Sequence, residues 1–142
     1  MRKLLLFLSL SLILTGCSSL NPTTTSQHTL RLVNADLAAA LNTFEETALQ
    51  ANQAGLITTS EAVSISQIIN NATIASDGIE KCADNLTGTI SGCIAPFVQN
   101  IQAKMNLAAL GIKSPNATAT FNVAIANVLT ALQKIQTSVS GQ

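Results

Sequence analysis

The sequence predicts an all-α protein, an up-and-down antiparallel four-helix bundle, and three observations carry that expectation. From Leu30 to Val139 the apolar residues recur in alternating steps of three and four, the spacing of one face of an α-helix. Between these stripes stand helix-end signals: Gly55, the Thr58 and Glu61 pair, Gly111 and Ser114-Pro115. The period-two alternation that a β-rich domain needs is not apparent. Short connections then make successive helices antiparallel neighbours, and four striped helices bury their faces best as a bundle.

The chain starts with Arg2 and Lys3, continues with the apolar run Leu4 to Leu14, and reaches Leu14-Thr15-Gly16-Cys17. A charged start, a short apolar run and small residues make a secretory signal peptide, and the run is too short to span a bilayer as a helix. The tetrapeptide resembles the lipobox of bacterial lipoproteins, a likeness that covers residues 1 to about 19. It implies cleavage by signal peptidase II between Gly16 and Cys17, a diacylglyceryl group on the Cys17 sulfur, and usually a third acyl chain (palmitate) on the new amino group. An ordinary signal peptide leaving Cys17 as a free thiol is the competing reading. Two or three acyl chains, at ~0.8 kcal/mol per buried CH₂, hold a protein to a membrane without further help. Ser18 stands where the likeness would put Asp for inner-membrane retention, so a Gram-negative host would carry the protein on its outer membrane, on the periplasmic or the surface face.

Residues 17–29 follow as the lipidated N-terminus and a flexible tether, because Ser18 to Thr29 is turn-rich and poor in apolar residues. Residues 30–142 form the helical bundle domain. Of the 142 residues, 126 remain after cleavage, enough for one core and too few for two comfortable ones. The first helix carries the stripe Leu30, Val33, Leu37, Leu41, Phe44 and Ala48, with Gly55 just past its end. Thr58 and Glu61 make a capping box that opens the second, whose stripe is Ala62, Ile65, Ile68, Ile69, Ala72, Ala75 and Ile79. Gly78 interrupts this helix, although Ile79 keeps the period, so the break stays open.

Asn85 to Gly92 reads as a loop, with two glycines and several side chains that compete for backbone hydrogen bonds. Pro96 is tolerated only in a first turn, which puts the start of the third helix near Ile94 or Ala95, with the stripe Phe97, Ile101, Met105 and Ala108 and a stop at Gly111. Ser114-Pro115 caps the fourth, striped by Phe121, Ile125, Val128, Leu132, Ile135 and Val139. Phe44, Phe97 and Phe121 all fall on expected inner faces and read as core.

Once Cys17 is assigned to lipid, Cys82 and Cys93 remain as a pair. A structural disulfide tying helix two to helix three is expected in an oxidising compartment, and for so short a loop it contributes roughly 3 kcal/mol. A metal pair or a redox pair is the weaker alternative, since the spacing is not C-x-x-C and the chain's single histidine is His28.

The mature charges are Arg31, Lys81, Lys104, Lys113 and Lys134 against Asp36, Glu45, Glu46, Glu61, Asp77, Glu80 and Asp84. That leaves no basic patch for nucleic acid. Asp77, Glu80 and Asp84 can share a helix face, and read as a solvated helix end beside Lys81 more readily than as a cation site. Glu45 and Glu46 diverge by ~100° and make no dyad. No enzyme activity is expected, and neither a metal nor a cofactor apart from the lipid on Cys17. Expected instead is an envelope lipoprotein that acts by contact with an envelope protein, as scaffold, accessory subunit, or inhibitor or exclusion factor. Val63, Ile74, Leu107, Leu110 and Val123 lie partly outside the stripes and would mark its partner surface if exposed together. The alternative is a carrier of a small apolar molecule, in a cavity lined by Ile68, Ile101, Met105 and Val128.

Overall fold

The computed structural model describes residues 22–84 and 89–140, residues 22–25 as backbone only. Four helices account for nearly all of them: α1 Pro22–Gln53, α2 Thr59–Asp84, α3 Ile90–Lys104 and α4 Pro115–Ser140. Helix α1 packs on α2 and α4, and α3 closes the ring between α2 and α4. The backbones of the diagonal pairs do not approach each other closely, which is the arrangement of an up-and-down four-helix bundle. No described helix is long and apolar enough to cross a membrane. The lipobox, Gly16 and Cys17, and loop residues 85–88, lie outside the described residues.

The core is built from the striped residues. Leu30, Leu37, Leu41, Phe44 and Ala48 of α1 are buried against Ile65, Ile69, Ala72 and Ile79 of α2, and every expected position of α4 is buried. The Phe44 and Phe121 rings meet at 5.8 Å between centroids, tilted by 51°. A contact of this kind is worth ~0.5–1.5 kcal/mol beyond the burial of its area. Val33 and Ile68 pack at the edge of the core.

Two turns at one end of the bundle close in the same way. Gly55 has φ +69° and Gly111 φ +72°. The Gly55 N–H donates to the Asn52 carbonyl and the Leu56 N–H to Ala51, while the Gly111 N–H donates to Ala108 and the Ile112 N–H to Leu107. These paired bonds are Schellman caps, which satisfy orphan carbonyls and need the left-handed residue that glycine supplies. Next to the first, the Thr58 N–H donates to Glu61 Oε2 at 2.7 Å and the Glu61 N–H to Thr58 Oγ1 at 3.2 Å, so the capping box closes in both directions.

Several boundaries differ from those the sequence suggests. Helix α1 begins at Pro22, so residues 22–29 of the expected tether are helical. A proline preset for the first turn and the strong helix that follows extend it backward. Helix α2 continues through Gly78 to Asp84. Helix α3 begins at Ile90, not near Ile94, and holds Pro96 as an interior residue. Proline there forgoes one bond to the Gly92 carbonyl, and the earlier start brings Ile90 and Ile94 into the core. Its end comes early, at Lys104 with Met105 as the cap. Asn106 then starts a new turn: its Oδ1 accepts from the Ala109 N–H at 2.8 Å. That turn leaves Ala108 exposed and carries Leu110 fully into the core.

One buried polar pair interrupts the apolar seam between α1 and α2. The Asn34 amide donates to the Ser76 carbonyl at 3.2 Å, and the Ser76 hydroxyl donates to Asn34 Oδ1 at 3.0 Å. Reciprocal bonding of this kind removes the cost of burying either group and fixes one register between the two helices.

Candidate functional site: the α2–α3 groove

Of the five residues expected to mark a partner surface, three are exposed. Leu110 is fully buried, and Leu107 is half-buried against the core. Val63, Ile74 and Val123 are exposed, Ile74 at 59 %. Of these three, Ile74 borders a groove, and the residue that completes it is Phe97.

Phe97 was expected in the core, and the structure places it half-buried, on the seam between α2 and α3. Its ring lies over the α2 backbone at Gly78, where a Cβ atom would come within 2.4 Å of a ring carbon. Real side chains do not tolerate that distance, so glycine at 78 makes room for the ring. Ile101 and Val98 take the core positions of this stretch. Because α2 and α3 run antiparallel, the Gly78 and Phe97 contact puts Ala75 level with Asn100, Ile74 just beyond them, and Asn71 opposite Lys104. Together they line a groove of about 370 Å³.

The disulfide holds one end of this seam. Cys82, buried near the end of α2, is bonded to Cys93 on α3 with Sγ atoms 2.03 Å apart and Cα atoms 5.8 Å apart. Cys93 is one helical turn before Phe97, so the bridge and the aromatic seat hold successive turns of α3 to the same helix.

Charges elsewhere pair across the bundle. Arg31 of α1 donates to Asp84 of α2, and this bond, with attraction from Asp84 and Glu80, raises the Arg31 pKa. Among the described residues no three His, Cys, Asp or Glu side chains converge as a metal site would require. Lys134 donates to Asp36 at 3.0 Å, over a shallow α1–α4 groove of about 300 Å³. At the far end, Glu61 accepts from the backbone and hydroxyl of Thr58 and from the Lys113 N–H at 3.3 Å, and these bonds lower its pKa. It joins the two Schellman turns along an open cleft of about 710 Å³. The four residues considered for a carrier cavity line none of these three grooves; Ile101, Met105 and Val128 are buried in the core.

No family model, curated protein or solved structure matches this chain. The function is therefore argued from the molecule itself.

Sequence reasoning missed the half-buried seat of Phe97 on α2 because its spacing to Ile101 fits an inner face. The signal available was Gly78, a helix-breaking residue inside an unbroken period, which marks a position where another group approaches the backbone.

Proposed function

We propose that this chain is a noncatalytic lipoprotein of the bacterial cell envelope, anchored through acylated Cys17 and acting by protein contact at the α2–α3 groove. The lipobox-like residues 14–17 support the anchor, and Ser18 favours the outer membrane in a Gram-negative host. The single observation that carries the contact reading is the pairing of exposed Ile74 with Phe97 on a glycine seat. An apolar side chain left at 59 % exposure beside a half-buried aromatic is surface that a second protein can desolvate.

The test is cross-linking in intact cells that express the native lipoprotein or its Ile74→Glu variant. A defined membrane-fraction partner, present with the native chain and lost with the variant, is the expected result. Equal recovery from both removes the groove from the reading. Cys17→Ser should leave an uncleaved, unlipidated precursor, and a variant that still fractionates as a processed lipoprotein would refute the anchor.

A further inference from the structure

The two halves of the Cys82–Cys93 bridge stand in different surroundings. Cys82 is 3 % exposed, in the last turn of α2, with fully buried Ala83 beside it. Cys93 is exposed in the first turn of α3, directly after exposed Ser91 and Gly92. Thiol–disulfide exchange is a displacement in which a thiolate attacks one sulfur and the other leaves, so access to each sulfur and the fate of its partner decide the route. Attack on Cys82 needs space inside the core. Attack on Cys93 needs only the exposed turn that carries it.

The leaving groups are also unlike. Attack on Cys93 expels Cys82 as a thiolate, into the core and beside the last carbonyls of α2, where negative charge is disfavoured. Attack on Cys82 would expel Cys93 into water at the start of α3, where Thr89 makes no side-chain cap bond and the helix dipole favours an anion. The accessible sulfur thus has the poorer leaving group, and the sulfur with the better one is shut away. We propose that Cys93 is a thiol-exchange site, entered by small thiols and released only by dithiols. In the first step the reagent's sulfur bonds to the Cys93 sulfur and the electron pair of the broken S–S bond goes to Cys82. The Cys82 thiolate, held beside the adduct by the packing of α2, attacks Cys93 again and expels a monothiol. A dithiol goes on: its second thiolate attacks the reagent's own bonded sulfur, Cys93 leaves, and the reagent closes to a cyclic disulfide. Both cysteines then take up a proton, two electrons have passed to the bridge, and α3 loses its covalent hold on α2.

The test reads where a monothiol lands. The full chain in detergent micelles is incubated with glutathione, quenched in mildly acidic denaturant containing maleimide, and mapped as peptides by mass spectrometry. In the folded chain the glutathione adduct should fall on Cys93, with maleimide on Cys82, in about tenfold or greater excess over the reverse, because a buried sulfur is reached only by local opening. When the incubation itself is done in denaturant the two adducts should be about equal. Dithiothreitol should reduce the bridge without unfolding the chain. Single variants give a second readout: in chains that keep a cooperative melt, the Cys93 thiol of Cys82→Ser should take maleimide about tenfold faster than the Cys82 thiol of Cys93→Ser. Equal adducts in the folded chain, an excess on Cys82, or a bridge that neither reagent touches before unfolding overturns the site. If neither variant folds, the adduct map of the native chain decides. Label on Cys17 is read on a separate peptide and bears on the anchor alone.

Discussion

Helices α4 and α3 are neighbours in one bundle, yet they are held in different ways. Helix α4 runs for 26 residues with a proline at its first position, and Phe121, Ile125, Val128, Leu132, Ile135 and Val139 all face inward. Helix α3 has 15 residues, an interior proline and a half-buried phenylalanine, and it is fastened to α2 by a covalent bond and a glycine seat. The difference shows what each mode of attachment leaves free. A helix with a full apolar stripe needs no other fastening; α3, held partly by other means, leaves Phe97 half-buried on its seam with α2.

Replacing a core residue of α4 should have the largest effect on this contrast. Leu132→Ala, at a fully buried position, should cost about 2–5 kcal/mol in denaturant unfolding. A loss below 1 kcal/mol would show that α4 is no better packed than α3. Removing the bridge with Cys82→Ser and Cys93→Ser together should cost about 3 kcal/mol, read as a lower melting temperature. An unchanged melt would mean that packing alone keeps α3 in place.

Gly78→Ala sharpens the comparison by its sign. With Phe97 present the added methyl meets the ring, and the variant should lose about 1–2 kcal/mol despite a better helix propensity. In a Phe97→Ala background the same change should gain up to about 1 kcal/mol. The same sign in both backgrounds would refute the seat.

The smallest expected effect is on pH dependence. Glu61 has a folded pKa below its unfolded value, because the Thr58 N–H and hydroxyl and the Lys113 N–H bond its carboxylate. Its contribution is therefore full above the unfolded value of about 4.3 and fades as pH falls through the lower folded value. Glu61→Gln keeps an acceptor for the cap but does not titrate, so its melting temperature should fall less steeply than wild type below about pH 4. Parallel curves would contradict the assignment.

These attachments were unequally legible in the chain itself. The stripes of α1, α2 and α4, the Gly55 stop, the Thr58 and Glu61 box and the Ser114-Pro115 start depend on residues within a few positions of one another, so spacing reveals them. The start of α3 did not follow from Pro96, because the burial of Ile90 and Ile94 on distant helices outweighs a local cost. Asn34 and Ser76 lie 42 residues apart, and Gly78 and Phe97 meet only once α2 and α3 are side by side. The candidate site consists mostly of such distant pairs. Ile74 was recognisable as lying outside its stripe, whereas the groove it borders was not.

The ring of contacts also decides how the molecule bears a mechanical load. A pull on the start of α1 runs along the helix axis and strains its long seams with α2 and α4 in shear, so many contacts resist together. Helix α3 lies diagonally across from α1 and receives the force chiefly through its neighbours. Resistance to forced unfolding follows the unfolding rate, which α1 and its two partners set. Of the two walls of the α2–α3 groove, only α2 shares a seam with the loaded helix.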